Sequence, residues 1–309
     1  LALYSEDFSK TAWSKAETSV LSNTAIAPDG TFSADTLIPN TSGNSTTAGN
    51  ATTDNRLFQQ SASISTSTDV TNSVYVKSVS GSSSLLSIYV QVGDSTKAIT
   101  TVTVTNDWQR VDVSGVISTG LLRLTICTEE SVYIWGGQSE ILPFASSYIR
   151  TEGSAVSRSA DSLNLPSTGN FNASEYTLAM DYTINVDSDQ QYLAVVGGIT
   201  SADAIVISSQ ADNTIRHWGK VQGSSEYLIL SGVVPRGSYS SSTVYSNNSA
   251  EAFLNGVSIG SDSNAVIIDN FSHISLGYWE GVGTGYLNGH ISKFSTYAQA
   301  LTQQEITLL

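Results

Sequence analysis

Short runs of alternating apolar and polar residues recur along the chain, separated by Gly, Asn, Asp and Ser. Ser73-Val74-Tyr75-Val76-Lys77, Leu86-Ser87-Ile88-Tyr89-Val90-Gln91-Val92, Thr101-Val102-Thr103-Val104 and Val132-Tyr133-Ile134-Trp135 are of this kind. A period of two puts successive side chains on opposite faces, which predicts half-buried antiparallel strands. Tyr176 to Ile184 and Ala204-Ile205-Val206-Ile207 repeat the pattern. In Phe253-Leu254-Asn255-Gly256-Val257-Ser258-Ile259 an Asn-Gly pair stands between apolar runs. That pair tolerates the positive φ of a type I′ turn and predicts a hairpin. Ser80 to Ser84 and Asn106-Asp107 read as connections, and Asn40 to Asn55 as a long polar surface loop.

One helix is predicted, at the C-terminal end. Thr302-Gln303-Gln304-Glu305 has the spacing of a capping box, followed by apolar Ile306, Leu308 and Leu309. So short a helix requires packing against the strands. Thr151 to Asp161 lacks any apolar period and reads as a linker. The sequence therefore predicts an all-β chain with two antiparallel β-sandwich (jelly-roll) domains in tandem, at 1–150 and 162–309, joined by 151–161.

Composition strengthens that reading. Ser and Thr make up roughly 27% of the 309 residues, while charged residues are only 13%. Solubility rests on hydroxyls, and strand formers outweigh helix formers. The net charge is −14, and both halves are acidic. This argues against nucleic acid and anionic membrane as partners. No apolar stretch has the length of a membrane-spanning helix, so no membrane insertion is expected. The chain begins at Leu rather than Met and is read as a fragment. Cys127 lies in an apolar run and is expected to be a buried, inert thiol. His217, His273 and His290 are too scattered for a zinc signature.

Residues 1–150 resemble a module common in bacteriophage tail and fibre proteins, related to jelly-roll carbohydrate-binding modules. The resemblance rests on Tyr4 to Phe8 with Trp13, on Ala27-Pro28-Asp29-Gly30 and Ala34-Asp35, and on Trp108-Gln109-Arg110-Val111. Its C-terminal marks are Tyr133 to Glu140 and Phe144 to Thr151, with Ser139 where the family usually has an apolar residue. Residues 162–309 resemble concanavalin A-like, laminin-G-like lectin domains. There the marks are Asn255-Gly256, Ser275-Leu276-Gly277, Leu287 to Ile291, and the ending Phe294, Tyr297, Ala300-Leu301-Thr302 with Glu305-Ile306. Together the resemblances imply two sandwiches with a carbohydrate-facing role.

Sugar rings offer apolar faces to exposed aromatics and hydroxyl rims to amides and carboxylates. Trp13, Trp108 and Trp135 lie at positions that recur in the tail-module pattern, two of them inside or beside strand-like runs, and are expected to pack. Trp218, in a polar run, and Tyr278, Trp279 and Tyr286, in the Gly-rich segment from Gly277 to Tyr286, are the candidate glycan-binding residues. Asp181, Asp187 and Asp189 are the candidate ligands of a structural calcium, the one cofactor considered. No strand carries a spaced carboxylate set for glycoside hydrolysis, and no Gly-x-Ser-x-Gly turn is present, so no catalysis is expected.

The reading from sequence is a non-catalytic virion appendage protein — fibre, tail or capsid-decorating — on the virion surface. It is expected to bind host cell-surface glycan during attachment, to contact other virion subunits and to form a homo-oligomer, most simply a trimer. Two alternatives stand beside it. One is the accessory carbohydrate-binding region of a secreted polysaccharide-degrading enzyme. The other is a purely structural virion protein.

Overall fold

The computed structural model describes residues 2–40, 55–81, 83–167, 169–172, 174–185, 190–197, 203–221, 223–265, 271–280 and 282–309. The chain divides into two compact units, Leu1–Arg158 and Ser159–Leu309. Among the described residues it is all-β, with four antiparallel sheets forming sandwiches and one short helix.

The first unit contains β1 (Ser14–Ala16), β2 (Thr18–Ala25), β3 (Ala34–Pro39), β4 (Arg56–Ile64), β5 (Thr68–Ser78), β6 (Ser84–Val92), β7 (Ser95–Val104), β8 (Gln109–Ile117), β9 (Gly120–Thr128) and β10 (Val132–Glu140). One sheet runs β1-β4-β9-β6-β7 and the other β2-β3-β10-β5-β8. The alternation seen in sequence supplies the core between them. Leu57, Leu86, Ile88, Leu124 and Ile126 come from the first sheet, and Val74, Val76, Val132 and Ile134 from the second. Trp13 and Trp135 are buried and Trp108 is half-buried. Each indole N–H is bonded, to Tyr4 O, Ser33 Oγ and Ile26 O respectively. Asp35 is buried in β3 and accepts the backbone N–H groups of Phe8 and Asn23 at 2.8 and 2.9 Å. Burial pushes its carboxyl up to about 6, against the pull of those two bonds.

Residues 41–54, most of the predicted surface loop, lie outside the described residues. The predicted linker begins as part of the first unit. Thr151 is buried, donates its N–H to Ser5 Oγ at 2.9 Å and its hydroxyl to Ala2 O at 2.6 Å. Tyr4 bridges to Glu152. From Glu152 to Asn164 every residue is exposed.

The second unit contains β11 (Leu163–Pro166), β12 (Glu175–Ile184), β13 (Gln191–Gly197), β14 (Ala204–Ser209), β15 (Thr214–Val221), β16 (Ser224–Val233), β17 (Gly237–Ser246), β18 (Ser249–Leu254), β19 (Val257–Asp262), β20 (His273–Leu276) and β21 (Gly289–Tyr297). A six-stranded sheet β11-β20-β13-β14-β15-β16 faces a five-stranded sheet β19-β18-β17-β12-β21. The Asn255-Gly256 turn joins β18 to β19 with φ of 50° and 74°, as the sequence predicts. Asn247-Asn248 makes a second turn of this kind between β17 and β18, with φ of 52° and 62°. The helix α1 (Gln303–Ile306) carries the predicted capping box, Thr302 to Glu305, and buries Ile306 against Phe253 and Leu301.

Several strands depart from the half-buried expectation, β6 among them, buried from Leu86 to Gln91. Every residue of β13 and of β14 is buried. Ile205 and Ile207 face the sandwich core, while Val206 is covered on the outer face by aromatic rings. Cys127 is buried, as expected.

Candidate functional site

The aromatic residues singled out by sequence converge on the outer face of the six-stranded sheet. The strand registers place Asn164, Ser275, Val195, Val206, Trp218 and Leu228 in one row across all six strands. The row is polar at one end, where Ser275 donates its hydroxyl to Asn164 Oδ1 at 2.8 Å, and apolar toward the other. Trp279 covers its middle. The indole packs on Trp218 with ring centroids 5.6 Å apart, and on Tyr192 edge-on at 5.1 Å.

Two glycines shape the covering segment. After β20 the chain turns off the sheet at Gly277, whose φ of 77° favours glycine. Its N–H donates to Leu193 O at 2.9 Å and its carbonyl accepts Leu287 N–H at 2.7 Å. Gly285, φ 75°, lies against the Tyr192 ring, where a Cβ would come within 2.9 Å of ring carbons. Its carbonyl accepts the Tyr192 N–H at 2.8 Å. Glu280 anchors the segment from outside, accepting Asn164 Nδ2–H at 2.9 Å and lying 3.5 Å from His273 Nε2.

This geometry separates the four candidate glycan-binding aromatics. Trp279 is 4% exposed and Tyr278 7%, so neither offers a free ring face to a ligand. The correction is physical: a Gly-rich aromatic segment beside an apolar sheet face buries its rings there, because burial of large apolar area outweighs exposure. Tyr286 is 38% exposed and stacks on Tyr278, with centroids 6.1 Å apart and planes 10° apart. Trp218 is half-buried, with the Lys220 ammonium 5.2 Å from its ring centre.

Beside Tyr286 opens a cleft of about 440 Å³ lined by Gln190, Gln191, Tyr192, Thr284, Gly285, Tyr286 and Asn288. Gln191 Oε1 accepts the Asn288 backbone N–H at 2.6 Å, and Gln190 Nε2 donates to the Tyr192 hydroxyl at 3.2 Å. Burial raises the Tyr192 hydroxyl above the usual phenol range, so it stays protonated and able to donate. The described lining holds amides, hydroxyls and rings, and no carboxylate, His or Cys. Such a surface can bond sugar hydroxyls and contact an apolar ring face. Gln190, Gln191 and Tyr192 were not singled out from sequence; an amide pair before an aromatic strand start is too common to stand out.

Of the three candidate calcium ligands, Asp187 and Asp189 lie outside the described residues. Asp181 lies within β12, opposite Lys293 of β21 and Ser240 of β17. Its Oδ1 accepts the Ser240 hydroxyl. Among the described residues no three His, Cys, Asp or Glu side chains gather as a metal site. Also among them, no helix is long and apolar enough to cross a membrane.

Comparison with known proteins gives one family match and several likenesses to solved structures. No curated protein matches the chain in sequence. Among solved structures, NanB sialidase from Streptococcus pneumoniae aligns with a TM-score of 0.41 and 14% identity, over 48% of this chain and 26% of that one. The chain thus spans about a quarter of that sialidase's length. The carbohydrate-binding module CBM40 of the Ruminococcus gnavus IT-sialidase gives 0.38 and 17%, over 44% and 83%. A heptameric SAP-like pentraxin from Limulus polyphemus gives 0.36 and 17%, over 47% and 70%. In sequence, residues 157–307, the C-terminal half of the chain, match the laminin-G family model of the concanavalin A-like lectin/glucanases superfamily.

Proposed function

We propose that the protein is a non-catalytic glycan-binding component of a virion appendage, recognising host cell-surface saccharide through the cleft beside Tyr286. The observation that carries the binding role is the cleft itself. It is open to solvent, walled by Tyr192 and Tyr286, and rimmed by Gln190, Gln191, Thr284 and Asn288. Aromatic walls with neutral amides and hydroxyls suit an uncharged saccharide. The lectin-type family match over the same unit supports this reading.

The appendage role rests on the resemblance of residues 1–150 to bacteriophage tail and fibre modules. Single glycan sites are weak, and a trimer displayed in many copies gains avidity from simultaneous engagement. The test is a glycan array probed with the full chain, followed by calorimetry on the best neutral saccharide. Tyr286→Ala is expected to weaken binding while leaving the fold intact. An array without hits, or hits untouched by changes at Tyr286 and Gln190, rejects the cleft.

A further inference from the structure

The first unit holds a second, chemically different cluster, on the outer face of its β1-β4-β9-β6-β7 sheet. The registers give three rows across β4, β9, β6 and β7. They are Arg56, Cys127, Ser87 and Thr101; Phe58, Thr125, Tyr89 and Ile99; and Gln60, Arg123, Gln91 and Thr96. This face is largely polar, where the opposite face is mostly apolar, with Leu57, Leu86, Ile88, Leu124 and Ile126. Thr125 donates its hydroxyl to Gln91 Oε1 at 2.6 Å, Gln91 Nε2 donates to Thr96 Oγ1 at 3.2 Å, and Ser87 and Thr101 share a bond of 2.8 Å.

Two guanidiniums dominate it. Arg56 Nη1 and Arg123 Nη1 each lie 3.0 Å from the same oxygen, Oδ1 of Asp94 at the β6–β7 turn. Both cations also lie against the ring of Phe58, 5.5 and 4.5 Å from its centre, which holds them in place. The arginine side chains are 4% and 9% exposed, while Asp94 is 55% exposed. Among the described residues Asp94 is the one carboxylate that reaches them. One negative charge therefore answers two positive ones, in a chain whose net charge is −14. The Nε–H groups of both arginines are buried without a hydrogen-bond partner. A buried cation lacking its counter-charge is costly, and an unpartnered buried donor adds to that cost.

The geometry points to an anion-binding subsite at Arg56 and Arg123, taking the carboxylate of an acidic sugar. Planar guanidiniums with fixed N–H edges match a carboxylate better than a point charge does. Gln60, exposed and paired with Arg123 across β4 and β9, supplies an amide partner for the rest of a sugar ring. This site lies in the other unit from the uncharged cleft at Tyr286, and it stands or falls independently of it.

The experiment is NMR titration of the full chain, following the Nε–H signals of Arg56 and Arg123. The probes are glucuronate, N-acetylneuraminate, glucose, acetate and sulfate. The acidic sugars are expected to shift both signals saturably in the millimolar range, and glucose is not. Arg123→Gln should weaken the acidic sugars at least tenfold. Asp94→Asn removes the internal competitor and should tighten them about three- to tenfold, and it guards against Arg123→Gln failing to fold. Asp54, two positions before Arg56, lies outside the described residues. Asp54→Asn is expected to leave affinity unchanged; a tenfold rise there would assign the counter-charge to Asp54 and overturn the site. No saturable shift, or no tightening in Asp94→Asn, reduces the cluster to a clamp on the β6–β7 turn. Equal binding of acetate or sulfate and the acidic sugars makes it a site for an adventitious ion only, which also overturns the proposal.

Discussion

In the first unit the outer face of the β1-β4-β9-β6-β7 sheet carries two arginines, Thr125, Gln91 and Ser87. In the second, the outer face of the six-stranded sheet carries Val195, Val206 and Trp218 beneath Trp279. The two units share a sandwich architecture with apolar interiors, yet their outer faces are closed by opposite chemistry. Ions and amides occupy one, aromatic rings the other. Each solution leaves buried donors without partners: Arg56 Nε and Arg123 Nε in the first, Trp279 Nε1 in the second. The contrast teaches that ligand chemistry here is set on the outer faces, while the inner faces are spent on cohesion.

The comparison breaks most sharply along pH, because among the described residues each unit buries one carboxylate or imidazole and the two act with opposite sign. In the second unit His217 is fully buried, shares a 2.7 Å bond with Thr243 through Nδ1, and is pushed by burial down to about 3 from 6.5. Above 6.5 it is neutral in both states and its contribution is intact. As pH falls from 6.5 toward 3 the unfolded chain takes up the proton first. The unit then loses roughly 1.4 kcal/mol per pH unit, about 5 kcal/mol in all. In the first unit Asp35 is raised from 3.8 to about 6. Below 3.8 its contribution is intact, and it is lost as pH rises to 6, about 3 kcal/mol in all. Urea unfolding followed by NMR signals of each unit, between pH 7 and pH 4, should show the second weakening while the first strengthens. His217→Phe should flatten the second response and Asp35→Asn the first. Parallel slopes in both units would contradict the assignment.

Next in size is the buried indole. Trp279→Ala removes a ring packed on Tyr192 and Trp218 and should destabilise the second unit by about 3–5 kcal/mol. Tyr286→Ala, seven positions on, should change stability by less than about 1 kcal/mol because the ring is partly solvated. Denaturant midpoints for the two variants decide the matter; equal losses would mean that Tyr286 too is core.

That pair of residues also marks where sequence reasoning ends. The strands and the Asn255-Gly256 turn are legible because they follow from local period and local φ preference. So is the capping box at Thr302. The aromatic density of Gly277 to Tyr286 is legible as well. Which rings it buries is not, since that depends on the register bulge between Tyr192 and Ala194 and on how Gly277 leaves the sheet. The alternation in Ala204 to Ile207 misleads for the same reason, because the cover over Val206 arrives from a distant segment. Arg56 and Arg123 each look like an ordinary solvated strand charge; only the β4–β9 pairing brings both to Asp94.

The binding comparison predicts smaller effects. Loss of a stacking aromatic typically costs about 1–3 kcal/mol. Tyr286→Ala should therefore weaken a neutral saccharide between about fivefold and a hundredfold by calorimetry. Trp218→Ala should leave that affinity nearly unchanged, because Trp218 is not among the residues that line the cleft. Raised salt should leave this binding unchanged, since the described cleft lining is uncharged, whereas it should weaken acidic sugars at Arg56 and Arg123. Equal salt sensitivity for the two ligand classes would mean that both enter one site.

The smallest effect concerns calcium, and it again separates neighbouring residues. Asp181 accepts the Ser240 hydroxyl and pairs in register with Lys293, so it is expected to contribute least to an ion in this turn. Asp187 and Asp189 flank Ser188 in the sequence, outside the described residues, and stay the candidate ligands. Extracellular calcium modules bind at about 10⁻⁴–10⁻³ M. At roughly ten times the dissociation constant, an ion bound only to the folded state adds about 1.4 kcal/mol. For a unit of this size that corresponds to roughly 3–6 °C in melting temperature. Calcium at several millimolar should therefore raise the second unit's melting temperature by that amount, and a chelator should reverse it. Asp187→Asn should abolish the response and Asp181→Asn should leave it. A response lost in Asp181→Asn would return that residue to the coordination shell. A melting curve indifferent to both calcium and chelator would remove the metal from this turn altogether.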